Sequence, residues 1–234
     1  MENILCVIPA RSGSEEIKNK NIKTFVDRPL IAHAIEYARS CKLITKTIIS
    51  TDSNKYAEIA RKHGGEVPFI RPKKYSGPTS QDIDFMQHAL INCEKIYQLK
   101  FHIIVLLRAT SPVRPKNLIE RGIKMIKDDP SASSLRAVTI SHQHPYRHFT
   151  FDGQYIEGYE KSVYEPYNLP RQSWPKSYYS AGDLEVVRRE TLLGGSVSGK
   201  KIIPLILEDE EVVDIDSHKD WKLAESKFKK RSEL

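Results

Sequence analysis

Apolar positions along this 234-residue chain follow two periods that take turns. Residues 3–8 (Asn-Ile-Leu-Cys-Val-Ile) form a short, almost wholly apolar run, the pattern of a buried strand. Residues 29–38 switch to helical spacing, with Pro29 suited to a first helical turn. Residues 46–51 predict a second strand, 53–63 a helix stopped by Gly64-Gly65, and 67–70 a short third strand. A longer helix is predicted over 82–97. Residues 101–107 (Phe-His-Ile-Ile-Val-Leu-Leu) are the most apolar strand and therefore the predicted sheet centre. A helix over 115–127, ended by Asp128-Asp129-Pro130, and a strand over 133–139 continue the series. This alternation predicts an α/β fold, mostly parallel in its sheet, with helices on both faces.

The pattern breaks at residue 141. Residues 141–180 carry many aromatic residues and prolines with little helical period, and 149–156 read as a hairpin around Asp152-Gly153. A long irregular segment inside a compact domain is usually functional. It is expected to be an arm that covers a site or reaches a second subunit. Residues 184–187 and 201–207 restore the sheet, and a terminal helix starts at Asp216-Ser217 and runs through Trp221, Ala224 and Phe228. One domain spanning 1–234, with 141–180 inserted as arm or lid, is the expected organisation.

Composition narrows the class. Met1-Glu2-Asn3 lacks the basic start of a secretory signal, and no apolar run approaches the roughly 18 residues that span a bilayer. Cys6, Cys41 and Cys93 are widely spaced and form no C-x-x-C pair, which argues against zinc or a disulfide framework and fits a cytoplasmic protein. The formal net charge of +7 suggests an anionic partner. The basic residues are scattered and match no nucleic-acid motif, and the densest run, Lys227 to Arg231, reads as a solvated helix end. A small polyanionic substrate accounts for the charge more economically than nucleic acid, and no membrane partner is expected.

Chemistry is predicted at strand ends, where parallel α/β sheets bind ligands. Pro9-Ala10-Arg11-Ser12-Gly13-Ser14 follows the first strand, and Lys20-Asn21 follows shortly after. A small-residue loop of this kind can turn several N–H groups toward phosphate oxygens. It lacks both the Gly-Lys-Ser/Thr ending of a Walker loop and the G-x-G-x-x-G pattern. Thr51-Asp52, Arg71 and Arg108-Ala109-Thr110-Ser111-Pro112 fall at the other predicted ends. Asp52 is a nucleotide contact or the cap of the next helix; Thr110 and Ser111 are site groups or a simple turn. Asp214 and Asp216 are two apart after Glu211-Val212-Val213, so an extended chain points both carboxylates the same way. Two such carboxylates suit Mg2+, and Asp216 is also expected to cap the terminal helix.

The segments Ile8-Pro9-Ala10-Arg11-x-Gly13-Ser14, Lys20-Asn21, Ser50-Thr51-Asp52, Arg71-Pro72, Leu106-Leu107-x-x-Thr110-Ser111-Pro112-x-Arg114, Pro170-Arg171-Gln172 and Asp214-Ile215-Asp216 together resemble the acylneuraminate (CMP-nonulosonate) cytidylyltransferases, in that family's order. The resemblance implies a Rossmann-like nucleotidyltransferase fold with a protruding dimerisation arm. It implies that a nonulosonic acid, of the sialic or legionaminic type, attacks the α-phosphorus of CTP to give a CMP-sugar and pyrophosphate. It implies further that Arg11 and the Ser12, Gly13 and Ser14 backbone cradle the triphosphate and that Lys20 neutralises it. Asn21 and Arg71 would help recognise the base, and Asp214 and Asp216 would bind Mg2+. Arg108, Thr110, Ser111, Arg171 and Gln172 would lie near the nine-carbon 2-keto sugar acid, with Tyr146 on the closing arm. A homodimer is implied as well.

Two positions depart from the family pattern. Glu15-Glu16 stand where Lys-Gly is usual, and Arg108 stands where Gln is usual. The first replaces attraction for triphosphate with repulsion and leaves a non-catalytic binding homologue as an alternative. The second resembles the legionaminic-type branch and leaves GTP as an alternative nucleotide.

Overall fold

A first strand that is apolar on both sides needs a covered layer above and below it. The computed structural model, which describes residues 2–208 and 212–232, supplies both. In chain order it begins with β1 (Asn3–Pro9), a two-residue hairpin of β2 (Thr24–Phe25) and β3 (Arg28–Pro29), α1 (Leu30–Ser40), β4 (Lys46–Ser50) and α2 (Asn54–Lys62). Then come α3 (Asp82–Tyr97), β5 (Phe101–Leu106), α4 (Leu118–Asp128) and β6 (Ser134–Ile140). The arm carries β7 (Phe149–Phe151) and β8 (Ile156–Gly158), and the chain closes with β9 (Tyr178–Arg188), α5 (Arg189–Leu193), β10 (Ile202–Ile206) and α6 (His218–Ser232).

Ile4, Cys6 and Ile8 of β1 enter a core built with α1, α2 and α4; Leu5 and Val7 enter a second core built with α3 and α5. The sheet order is β10-β6-β9-β5-β1-β4, so β5 is interior, as its sequence required. β1 pairs in parallel with β4 and β5, and β10 with β6, whereas β9 is antiparallel to both β5 and β6. The sheet is therefore mostly parallel, as expected. β9 reverses for a simple reason: β6 delivers the chain to the C-terminal rim, the arm follows there, and the next strand must re-enter from that rim. A third apolar cluster joins Phe25, Leu30, Val213, Ile215, Trp221 and Ala224, so α6 and the preceding segment are anchored beside the loop after β1. Among the described residues no helix is long and apolar enough to cross a membrane.

Several expectations require correction. Residues 67–70 form no strand; only Glu66 bridges to Ile48, and Pro68 has no N–H to extend a ladder. The helix expected from 115 starts at Leu118, because Asn117 takes a left-handed conformation (φ 58°). β9 begins six residues earlier than its apolar pattern suggested, since Tyr178, Tyr179 and Ser180 pair with β6 while facing solvent. Gly182 (φ +75°) lies in β9 opposite the register shift of β6. Residues 212–216 join no strand, and Glu211 lies outside the described residues.

Close packing of α4 on the sheet gives a first test. A β-carbon at Gly122 would come 2.8 Å from Leu184 Cδ2. Gly122→Val is expected to destabilise by about 1–3 kcal/mol through overpacking, lowering Tm by roughly 2–4 °C per kcal/mol for a chain of this size. An unchanged Tm in thermal unfolding would show that α4 sits further from β9.

Candidate nucleotide and acceptor site

The chain just after β1 and after β5 opens onto one cleft of about 470 Å³, whereas Thr51 and Asp52 at the end of β4 are not in its lining. Arg11, Lys20, Arg71, Arg108 and Asp216, separated by up to 205 positions in sequence, all line it. Ser14, Asn21, Thr110, Glu15 and Glu16 line it too.

The loop after β1 is shaped from below. Asp52 accepts the Ser12 backbone N–H at 2.8 Å and the Ser12 hydroxyl at 2.7 Å. Asp52 therefore does not cap α2; Ser53 does, accepting from Tyr56 N–H at 3.4 Å. Buried Asn21 donates Nδ2 to the Arg11 carbonyl at 3.1 Å. Ser12 has spent its amide on Asp52, and of the loop's small residues Ser14 lines the cleft while Ser12 and Gly13 do not. Gly13 is exposed with nothing within 4 Å of its missing side chain, so a ligand can approach its backbone closely. Arg11 crosses the cleft to donate to the Gly77 carbonyl at 3.1 Å.

Arg71 lies in the cleft floor, 4% exposed, with all three guanidinium nitrogens engaged. It donates to the Ser50 hydroxyl at 3.1 Å, to the Ser50 carbonyl, and to the Tyr75 carbonyl at 3.4 Å, and it stacks 4.6 Å over Phe85. Burial lowers its pKa to about 10 against the opposing pull of Asp52 and Asp82, so it stays protonated at neutral pH.

The segment 212–216 runs beside the cleft, its Ile215 N–H donating to the Thr110 carbonyl at 2.8 Å. Val213 and Ile215 are buried in the third cluster, which turns Asp214 and Asp216 the other way. Asp216 is 81% exposed and accepts Lys20 Nζ at 3.1 Å, while Lys20 also holds the Ile215 carbonyl at 2.6 Å. Asp216 is not the cap of α6. Ser217 and Asp220 exchange hydrogen bonds in a capping box, which leaves the Asp216 carboxylate available. Asp214 sits deeper, and its Oδ1 is buried without a hydrogen-bond partner. Ser111 is fully buried behind the cleft, its hydroxyl also unpartnered, and both flank Gly182, where a β-carbon would meet Asp214 Oδ2 at 2.9 Å.

Arg108 donates from Nη2 to Asp82 Oδ2 at 2.5 Å and to Glu185 Oε1 at 3.0 Å. Burial alone would lower its pKa; the two carboxylates outweigh that and hold it above its ordinary range. Arg114, buried, fixes the Arg108 carbonyl and donates to the Asp183 carbonyl at 3.3 Å. Asp82 and Glu185 escaped sequence reasoning: one reads as a helix start, the other as an alternating strand position. Tyr146, Arg171 and Gln172 lie in the arm and are not part of the lining. Arg171 and Gln172 are exposed in a short 3₁₀ turn, and Tyr146 packs on His144 and Trp174.

Removing the strut under the loop should be visible in nucleotide binding. Asp52→Ala breaks two charge-assisted bonds worth about 1.5–3 kcal/mol each when formed, and it should lower Tm by roughly 5 °C or more and raise the nucleotide KM roughly tenfold or more. Steady-state kinetics at varied nucleotide checks this; an unaltered KM would mean that the loop needs no support.

A cytidylyltransferase family model matches residues 5–153. Post-translational flagellin modification protein B of Campylobacter coli is 32% identical over 99% of this chain and 97% of its own. CMP-N,N'-diacetyllegionaminic acid synthase of Campylobacter jejuni is 31% identical over 96% of this chain and 94% of its own. A solved structure of CMP:2-keto-3-deoxy-manno-octonic acid synthetase complexed with CTP superposes over the whole of both chains with a TM-score of 0.70 at 16% identity, a likeness of fold. With strand-end cleft, motif order and sequence relationship in agreement, the chain belongs to the cytidylyltransferase family, enzymes of the nucleotidyltransferase type.

Proposed function

We propose that the chain transfers the cytidylyl group of CTP to a nonulosonic acid of the sialic or legionaminic type. The carrying observation is that Arg11, Lys20, Arg108 and Asp216 line one cleft at the sheet's C-terminal rim. The relatives named for CMP-legionaminic and N-acylneuraminate chemistry favour CTP over GTP as the nucleotide. Arg11, the Gly13 and Ser14 amides and Lys20 would bind the triphosphate. For Lys20 this means exchanging Asp216 for a phosphate oxygen. The anomeric hydroxyl of the sugar acid attacks the α-phosphorus, its proton passes to solvent or base, and pyrophosphate departs. The protein aligns the two substrates and stabilises charge on the non-bridging and leaving oxygens.

A divalent cation suits the residues present. The buried, unpartnered Asp214 Oδ1 and the exposed carboxylate of Asp216 are hard oxygen donors on one extended segment. Among the described residues no group of three or more His, Cys, Asp or Glu side chains forms a metal cage. Two carboxylates suit Mg2+ because that ion typically completes its shell with phosphates and waters. When bound, such an ion supplies Lewis-acid stabilisation of phosphate charge.

Glu15 and Glu16 are exposed in the cleft lining, where their repulsion of a unit anion at 4 Å is about 1–4 kcal/mol. Relatives named as synthases and cytidylyltransferases along nearly the whole chain favour catalysis over a non-catalytic binding role. The arm exposes Phe151, Tyr155, Ile156, Tyr159 and Tyr164, the last at 87%. Such a surface suits burial against a second copy, and a homodimer would let Tyr146, Arg171 and Gln172 act at the partner's cleft. Three buried free cysteines are compatible with a cytoplasmic enzyme.

Pyrophosphate release measured with each of the four nucleotides against several nonulosonic acids is the direct test. CTP with Mg2+ is expected to be the productive pair; release with GTP but not CTP, or failure to release pyrophosphate from any of the four, overturns the proposal. Asp214→Asn is expected to lower turnover at least a hundredfold with the fold intact by circular dichroism. Normal Mg2+-dependent rates in that variant remove Asp214 from metal binding.

A further inference from the structure

Arg108 and Asp82 meet on the cleft wall, one at the end of β5 and the other in the first turn of α3. Behind them Glu185, 7% exposed, receives Arg108 on Oε1 and Arg136 Nη2 on Oε2 at 2.7 Å, and Arg136 Nη2 also reaches the Ser198 hydroxyl at 3.3 Å. The four charges alternate along Asp82, Arg108, Glu185 and Arg136, so the row is neutral. Both carboxylate bonds of Arg108 use Nη2, which fixes the guanidinium plane while Nη1 and Nε take no part in them. Asp82 likewise uses Oδ2, and Oδ1 takes no part in that bond.

A lone arginine at this place would be a receptor for a carboxylate. The row changes that expectation. A third carboxylate at Arg108 would lie beside Asp82, and like charges in a partly desolvated cleft repel. A fixed acceptor next to a fixed donor matches instead a neutral group with one N–H and one C=O. We propose that Asp82 and Arg108 form a specificity-determining pair that reads an acylamino substituent of the acceptor sugar, leaving the acceptor's own carboxylate to other cations. This rests on the cytidylyl-transfer reading and goes beyond it by naming which acceptor group the pair selects. Glu185 and Arg136 are positioning residues that keep the Arg108 plane fixed. A site built around paired polar groups rejects an analogue that leaves them unpaired far more strongly than an apolar pocket rejects a missing methylene.

The test compares N-acetylneuraminic acid, its 5-hydroxy analogue and its methyl ester as acceptors with CTP, with N,N'-diacetyllegionaminic acid as a second acylamino acceptor. The wild type should prefer acylamino to hydroxyl acceptors at least tenfold in kcat/KM. Asp82→Asn, which keeps the shape of the first turn of α3, should reduce that preference to about twofold. The CTP KM and the acid-to-ester ratio should both stay within about twofold of wild type. Arg108→Met, which removes the donors at similar length, should act the same way. The proposal is overturned if the acyl preference survives both substitutions, or if Arg108→Met collapses the acid-to-ester ratio instead. Absence of pyrophosphate release by the wild type defeats the reaction reading by itself. Calorimetric binding of the same acceptors then still decides the pair, since equal acyl binding by wild type and Asp82→Asn overturns it and selective loss supports it.

Discussion

The carbonyl of Ser50 is the point on which the cleft is assembled. It accepts the Ala10 N–H at 2.9 Å, tying the end of β1 to the end of β4, and it also accepts the Arg71 guanidinium. The Arg71 backbone N–H bonds the Thr51 carbonyl at 2.8 Å, so the loop leading to α3 is held by both ends of one residue. Through Tyr75 and Phe85 the same guanidinium joins the 73–80 loop and α3. A buried cation is tolerable only when its donors are satisfied, and here the acceptors are backbone carbonyls and a hydroxyl. The floor is consequently a charge-bearing unit that carries its own support. The loop above it is fixed separately by Asp52 and Asn21.

Charges in the cleft are largely matched before any substrate arrives. Lys20 has Asp216 and Arg108 has Asp82 and Glu185, whereas Arg11 and Arg71 donate to neutral carbonyls and a hydroxyl. Glu15 and Glu16 on the same lining offset those two charges, so the net +7 of the chain does not reside here. A polyphosphate must exchange with partners already in place, above all Asp216 at Lys20 and Gly77 at Arg11. On the proposed reading, a triphosphate with a divalent cation would replace those contacts together, which a single anion would not. The exchange at Lys20 would also free Asp216, the carboxylate proposed for Mg2+.

The fold was legible in the sequence wherever burial set the period. β1 and β5 read correctly because both of their faces are covered, and α1 to α4 because one face of each is. Reading failed where tertiary partners decided. Residues 67–70 look like a strand, yet Pro68 and the demand of Thr51 and Ser50 for Arg71 hold them as a connecting loop. The first half of β9 is polar outside and was invisible. At the site, sequence reasoning found the residues at strand ends but not their pairings. Asp52, open in the sequence between a nucleotide contact and a cap, is a strut under the loop; Asp216, expected to cap the terminal helix besides suiting Mg2+, is displaced from the cap by Ser217 and Asp220. Ser111 looked like a cleft residue and is buried behind it. Asp82 and Glu185 carried no local signal, because their meaning comes from Arg108, 26 and 77 positions away.

Topology explains why the arm stands where it does and what it can reach. β6 ends at the rim that carries the cleft, and β9 must start there, so everything between them is suspended above the C-terminal edge of the sheet. Its apolar side chains are left outside the cores, and burial of each large aromatic residue is worth about 1.5–3 kcal/mol. Its polar residues at 171–172 meanwhile stay off the cleft of their own chain. Both facts fit the proposed homodimer, in which an identical arm-bearing rim would cover the aromatic surface and receive the polar turn. In that arrangement the cleft of one chain would supply the nucleotide's phosphate contacts and the Asp82–Arg108 pair. The cation that the acceptor carboxylate still needs would then come from the arm of the other.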